Sequence, residues 1–245
     1  ADTILLDVKY GSGAFMPTKE SALQLAEKMG EIGTRAGKNI GALITDMEQP
    51  LSDHVGNSLE VIGIIEVLKG KQNRLYNEIK EVAVKLLTLS GKYSEEEAEK
   101  AFCFVVESGA ALRKLAEMVH AQHGDESYIL HPEKFVLGSR YEVVAEIDGF
   151  VDKMNAANIG RAVTLLGGGR LKKEDKIDFS VGVAMSVCLG SAVKKGDVLC
   201  TVYHNGKGLD EAVEMLKQSI HIGDKAPSAH KIAYAYVSKN GVQLY

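Results

Sequence analysis

Residues 3–15 read TILLDVKYGSGAF. Thr3 to Lys9 is mostly β-branched or aliphatic, which predicts a buried strand. It runs into the glycine loop Tyr10-Gly11-Ser12-Gly13-Ala14-Phe15. A helix is expected from about Thr18 to Gly33, with Leu23, Leu25, Ala26, Met29 and Ile32 on its apolar side. Gly37 to Thr45 (GKNIGALIT) predicts a second strand, and Asp46 to Gly56 a polar loop holding Pro50. Asn57 then opens a helix to about Lys69, with Glu60 at the spacing of a capping box. Strand, glycine loop, helix, strand, polar loop, helix is the alternation of an α/β layer. The expected class is α/β, and α+β over the whole chain: a mixed, largely parallel sheet with covering helices.

Outward from this core, helices are expected over Asn73–Ser90, from Ser94 with its Glu95-Glu96-Glu97 first turn, and over Ala110–His123. The texture changes near Gly138. Strands are expected at Arg140–Ile147, Phe150–Met154, Phe179–Val181, Ser191–Val193, Val198–Tyr203 and Ile232–Val237. Between them lie helices over Asn155–Leu166, closed by Gly167-Gly168-Gly169, and Leu209–Ile220. The expected domains are residues 1–138, an α/β portion, and residues 139–245, a barrel-sandwich-like α/β lobe.

Composition excludes several function classes. The chain has 245 residues, 45% hydrophobic and 25% charged, with net charge −4. A mildly acidic chain has no general pull toward nucleic acid or an anionic membrane. The longest charge-free run, Phe179 to Val193, is too short and too rich in Gly and Ser to span a bilayer. Cys103, Cys188 and Cys200 form neither a metal pattern nor a disulfide framework, so a cytoplasmic location is expected. The chain opens ADTILLDVKY, almost directly on a buried strand, which suggests that it begins inside a larger protein.

The loops after the first two strands carry the candidate site. In an open α/β sheet, ligands bind beyond the carboxyl ends of the strands. Lys9, Gly11, Ser12, Gly13 and Asp46 converge there, with glycine letting backbone N–H groups approach an anion. The loop lacks the Gly-Lys-Ser/Thr of a P-loop. A tight turn and a capping aspartate are the bland readings of the same residues. His120 and His123 have no zinc spacing, and none of the seven histidines has a triad setting. Gly190 to Leu199 follows G-x-x-V-x-x-G-D-x-L, which resembles the hairpin of biotinyl and lipoyl barrel-sandwich domains. Lys153, in Asp152-Lys153-Met154, is the nearest counterpart of their modified lysine. A non-catalytic binding or carrier-like module is therefore the alternative reading.

Leu6 to Met16 closely resembles a segment of pyrimidine-nucleoside and thymidine phosphorylases. Further agreement follows in order: Thr45-Asp46-Met47 with Gln49-Pro50-Leu51, Gly56-Asn57 with Leu59-Glu60-Val61, Gly149-Phe150-Val151 through Gly160, and Gly167-Gly168-Gly169-Arg170 through Gly182. Gly190–Leu199 and Asp224-Lys225-Ala226-Pro227 also fit. The resemblance implies phosphorolysis of a pyrimidine nucleoside to the free base and (deoxy)ribose 1-phosphate, a step in nucleoside salvage. It implies phosphate and nucleoside as partners, and a homodimer formed through an N-terminal α domain. The family's phosphate-binding motif, base-binding Arg, Ser and Lys precede the first residue here, so no catalytic residue is carried over. The chain is accordingly expected to be a C-terminal portion, inactive by itself, with Lys9, Gly11, Ser12, Gly13 and Asp46 bordering the phosphate side of the cleft. No organic cofactor is implied. Some members bind a monovalent or divalent cation through two main-chain carbonyls, here those of Leu51 and His54, and a Glu whose position is Gly63.

Overall fold

A computed structural model describes residues 1–228 and 231–245; His230, one of the seven histidines, lies outside the described residues. The opening stretch forms β1 (Thr3–Tyr10), followed by α1 (Lys19–Arg35) and β2 (Asn39–Asp46). Thr18 caps α1 by accepting from Ser21 N, and Ser21 returns the bond to Thr18 N. β1 and β2 pair in parallel, with Val8 opposite Ile44 and Tyr10 opposite Asp46. Alternation sorts their side chains. Val8, Tyr10, Ala42 and Ile44 pack on Ala22 and Ala26 of α1. Lys9 and Thr45 face the opposite side of the sheet, where α3 (Arg74–Leu89) lies.

After β2 come the short β3 (His54–Val55) and α2 (Asn57–Leu68). α3, α4 (Glu95–Glu107), α5 (Ala110–Ala121) and α6 (Ser127–Leu130) fill the middle, followed by a 3₁₀ turn at Pro132–Lys134. Ser94 and Glu97 cap α4 reciprocally, as its sequence predicts. α2 departs from expectation. Gly56, not Asn57, is its N-cap, and Glu60 accepts from Gly56 N at 3.1 Å. Gly56 has φ 129°, and a Cβ there would meet Val181 O at 2.8 Å, so only glycine can make this entry. Asn57 instead donates to Gly168 O at 2.8 Å.

The second half holds β4 (Ser139–Val144), β5 (Gly149–Met154), α7 (Ala156–Val163), β6 (Gly182–Met185), β7 (Ala192–Val193) and β8 (Val198–His204). α8 (Leu209–Ser219), β9 (Ile220–Gly223), β10 (Ala233–Ser238) and β11 (Gly241–Leu244) complete it. The strand expected at Phe179–Val181 forms instead at Gly182–Met185. α7 runs into a π-helical turn at Thr164–Gly168, and Gly167 takes φ 103°, so the glycine triplet ends the helix as expected. Two open sheets arise, β3-β6-β8-β4 and β7-β5-β9. Val143, Val183 and Val202 of the first share one core with Val151, Val193 and Ile220 of the second, and with Ile159 and Leu216 of α7 and α8. The lobe is thus an open sandwich with two helices, not a closed barrel.

The last strands do not stay with that lobe. β10 pairs antiparallel with β2 and β11 with β10, giving the order β1-β2-β10-β11. The first sheet is mixed as expected, but β1–β2 is its one parallel pairing among the described residues, which corrects the expectation of a largely parallel sheet. The cause is the returning hairpin, which supplies antiparallel strands where crossover units would add parallel ones. Ala235 and Val237 complete the core under α1. Among the described residues, no helix is long and apolar enough to cross a membrane.

Candidate functional site

The parallel register sets Lys9 beside Thr45 and Tyr10 beside Asp46, so the two loops leave the sheet side by side. Gly11 turns the chain at φ 113°, where a Cβ would meet Glu48 N at 2.8 Å. The glycine loop is closed on itself and its neighbour. Gly11 N donates to Met16 O at 3.0 Å, Gly13 N to Met47 O at 2.9 Å and Ala14 N to Gly11 O at 3.0 Å. Ser12 N donates to the Glu48 carboxylate at 3.1 Å. These amides therefore have acceptors within the chain, and the loop is braced by β2's loop. Ser12 also reaches the second lobe, its Oγ accepting from Ala156 N at the start of α7 at 3.1 Å.

A network of charges lies under the loops. Lys9 Nζ donates to Thr45 Oγ1 at 2.9 Å and pairs with Asp7 at 2.8 Å and with Glu78 of α3. Thr45 Oγ1 donates to Asp7. Asp46 is fully buried; Arg74 Nη2 donates to its carboxylate at 2.9 Å and to its carbonyl oxygen at 2.7 Å. Glu48 N donates to Asp46 Oδ1 at 3.2 Å. Burial pushes the Glu78 carboxyl above its ordinary range, against the downward pull of Lys9. Burial likewise raises the Tyr10 phenol, with Asp46 and Glu48 adding to it, so Tyr10 stays protonated. Asp46 thus serves as the counter-ion of Arg74, held away from solvent.

Two hollows flank the loops. One, of about 530 Å³, is bounded by Leu6, Val8, Ser12, Phe15, Met16 and Met29. Phe15 itself is fully exposed at its rim. The other, of about 350 Å³, is bounded by Met47, Leu51, His54, Glu60, Ala156 and Gly160. Gln49, also buried, joins the lobes by accepting from Leu189 N at 2.9 Å.

Of the residues expected at the site, Lys9, Gly11, Ser12, Gly13 and Asp46 come together at one end of the sheet. Leu51 and His54 lie further along the loop that follows β2. Burial lowers the His54 imidazole from its ordinary value, and its buried Nδ1 has no hydrogen-bond partner among the described residues. Gly63 faces it from α2: a Cβ there would lie 3.0 Å from His54 Nδ1 and 3.1 Å from Ser52 Oγ. Lys153 lies within β5 opposite His221, not on a hairpin turn. Cys200 is buried, which pushes its thiol up to about 12. Sequence reasoning missed Glu48, Arg74 and Glu78. One signal was available: Arg74 occupies the first turn of α3, where the helix dipole disfavours a cation without an anionic partner. Glu78, one turn on, shares its face.

Comparison with known proteins bears on this arrangement. Residues 150–223 match the family model described as pyrimidine nucleoside phosphorylase C-terminal domain. A pyrimidine-nucleoside phosphorylase of Staphylococcus aureus (strain bovine RF122 / ET3-1) is 40% identical over 238 residues, 95% of this chain and 55% of that protein. Its counterparts in strains USA300 and NCTC 8325 / PS 47 match to the same extent. The chain spans about half the length of the curated relatives it matches.

Proposed function

With this chain belonging to the pyrimidine-nucleoside phosphorylase family, we propose that it is a C-terminal portion of such an enzyme, inactive in isolation. The complete protein would cleave a pyrimidine nucleoside with phosphate, giving the free base and a (deoxy)ribose 1-phosphate. The alignment over 95% of the chain carries this reading. The oxocarbenium-like transition state of such a reaction calls for positioning and charge stabilisation. Lys9, Gly11, Ser12, Gly13 and Asp46 would border the phosphate side of the cleft as positioning residues. The internal acceptors of the loop amides and the burial of Asp46 behind Arg74 support that role over direct proton transfer. The division proposed is residues 1–138 and 139–245, with β10 and β11 returning to the first sheet. A cytoplasmic role in nucleoside salvage and a homodimer formed through an N-terminal α domain complete the proposal.

The test is direct. The purified chain is incubated with phosphate and uridine or thymidine, alone and fused behind the N-terminal part of a Staphylococcus aureus relative. Release of base by the fusion and none by the chain alone is expected. Release by the chain alone refutes its inactivity, and a folded but inert fusion refutes the assigned reaction.

A further inference from the structure

The cation that the resemblance implies does not fit the residues present. A cation held by two loop carbonyls needs a carboxylate from the facing helix, and a Cβ at position 63 of α2 would lie directly against Ser52 and His54. Gly63 supplies no side-chain oxygen. The His54 ring takes the room where such a side chain would pass, its Nδ1 standing 3.0 Å from the place a Cβ at position 63 would occupy. Glu60, one turn earlier, is committed to Gly56 N at 3.1 Å.

Beside the packing of Leu51 in the cluster around Val67 of α2, an ammonium group joins loop to helix here. Lys71 Nζ, just beyond the end of α2, pairs with Glu66 of that helix at 2.8 Å and with Asp53 of the loop at 3.5 Å. Asp53 also accepts from Asn73 Nδ2 at 3.0 Å, and Asn73 is the residue that caps α3 through Tyr76 N. Asp53 O in turn accepts from Met185 N at 2.6 Å, so the tethered loop also holds β6.

We infer that Lys71, bridging Asp53 and Glu66, replaces the metal ion as the cation that fastens the 51–54 loop to α2, with His54 over Gly63 closing the metal's place. The chain is then metal-independent at this point. The family relation serves only to identify the replaced ion, and the readout is thermal unfolding, which is independent of any phosphorolytic activity.

The unfolding midpoint of the whole chain is measured in potassium, sodium, calcium and tetramethylammonium chlorides at matched ionic strength. The same midpoint in all four is expected, and a rise specific to potassium or calcium overturns the proposal. Lys71→Met is expected to lower the midpoint by roughly 2–4 °C, with Lys71→Arg restoring it; an unchanged midpoint in Lys71→Met refutes the tether. The double variant His54→Ser with Gly63→Glu is expected to gain a cation-specific rise. A folded double variant without that rise refutes the role given to His54 and Gly63.

Discussion

Glu78 shows how one buried carboxylate can set a pH dependence. It is 3% exposed, one of its oxygens has no hydrogen-bond partner among the described residues, and burial raises its pKa above the ordinary glutamate range. A raised folded-state value means that the native chain holds this proton where the unfolded chain has released it. Its contribution is present below the ordinary glutamate pKa and is lost as pH rises through the raised value. Urea midpoints measured across mildly acidic to neutral pH should show that loss, and Glu78→Gln should remove it. A wild-type slope unchanged in Glu78→Gln would refute the assignment. Lys9→Met removes the charge that pulls the Glu78 pKa down, so it should steepen the same loss with rising pH, costing about 3–5 kcal/mol at neutral pH. Lys9 and Asp46 were legible as strand-end residues. Their partners were not, because Glu78 and Arg74 lie 69 and 28 residues away in sequence, beyond the reach of local spacing.

At the scale of elements, two glycines give opposite predictions. Gly30 lies inside α1, and a Cβ there would meet nothing within 4 Å. Gly30→Ala should stabilise the chain by about 0.5–1 kcal/mol through helix propensity alone. Gly11→Ala should destabilise it by roughly 1–3 kcal/mol, because the residue is left-handed and its Cβ would strike Glu48 N. Urea denaturation of both variants checks the pair, and a stabilising Gly11→Ala would show that the loop can relax away from Glu48. Periodicity and caps made the longer elements readable: β1, α1, β2, α3 and α4 stand close to where their patterns put them. β3, β9 and β11 escaped. They are two to four residues long and are defined by their partners, such as Ala184 for His54, not by any pattern of their own.

For the whole molecule, β2 is the strand on which stability turns. It is buried along nearly its full length, with β1 on one side and β10 on the other. Deleting residues 232–245 should bare that side, remove buried Ala235 and Val237, and cost about 3–5 kcal/mol. Hydrogen exchange would report it as lost protection of the β2 amides, with β5 and β8 little changed. Equal loss across both lobes would instead mean that they unfold as one unit. The α/β alternation was legible because it is local. The return of the chain end was not, since Ile232–Val237 reads as a strand without saying which sheet will take it.

The pairing of Val237 with Ala42 has a consequence for biosynthesis. The first lobe emerges from the ribosome with β2 open along one side, and nothing made in the next several turns of chain can close it. The second lobe draws nearly all of its core from residues 143–222, so its contacts are complete as soon as that stretch is out. Its folding precedes the closure of a sheet begun long before it. The sheet that β1 and β2 begin is thus finished only after the second lobe, and until β10 emerges the open side of β2 stays accessible to chaperones and proteases.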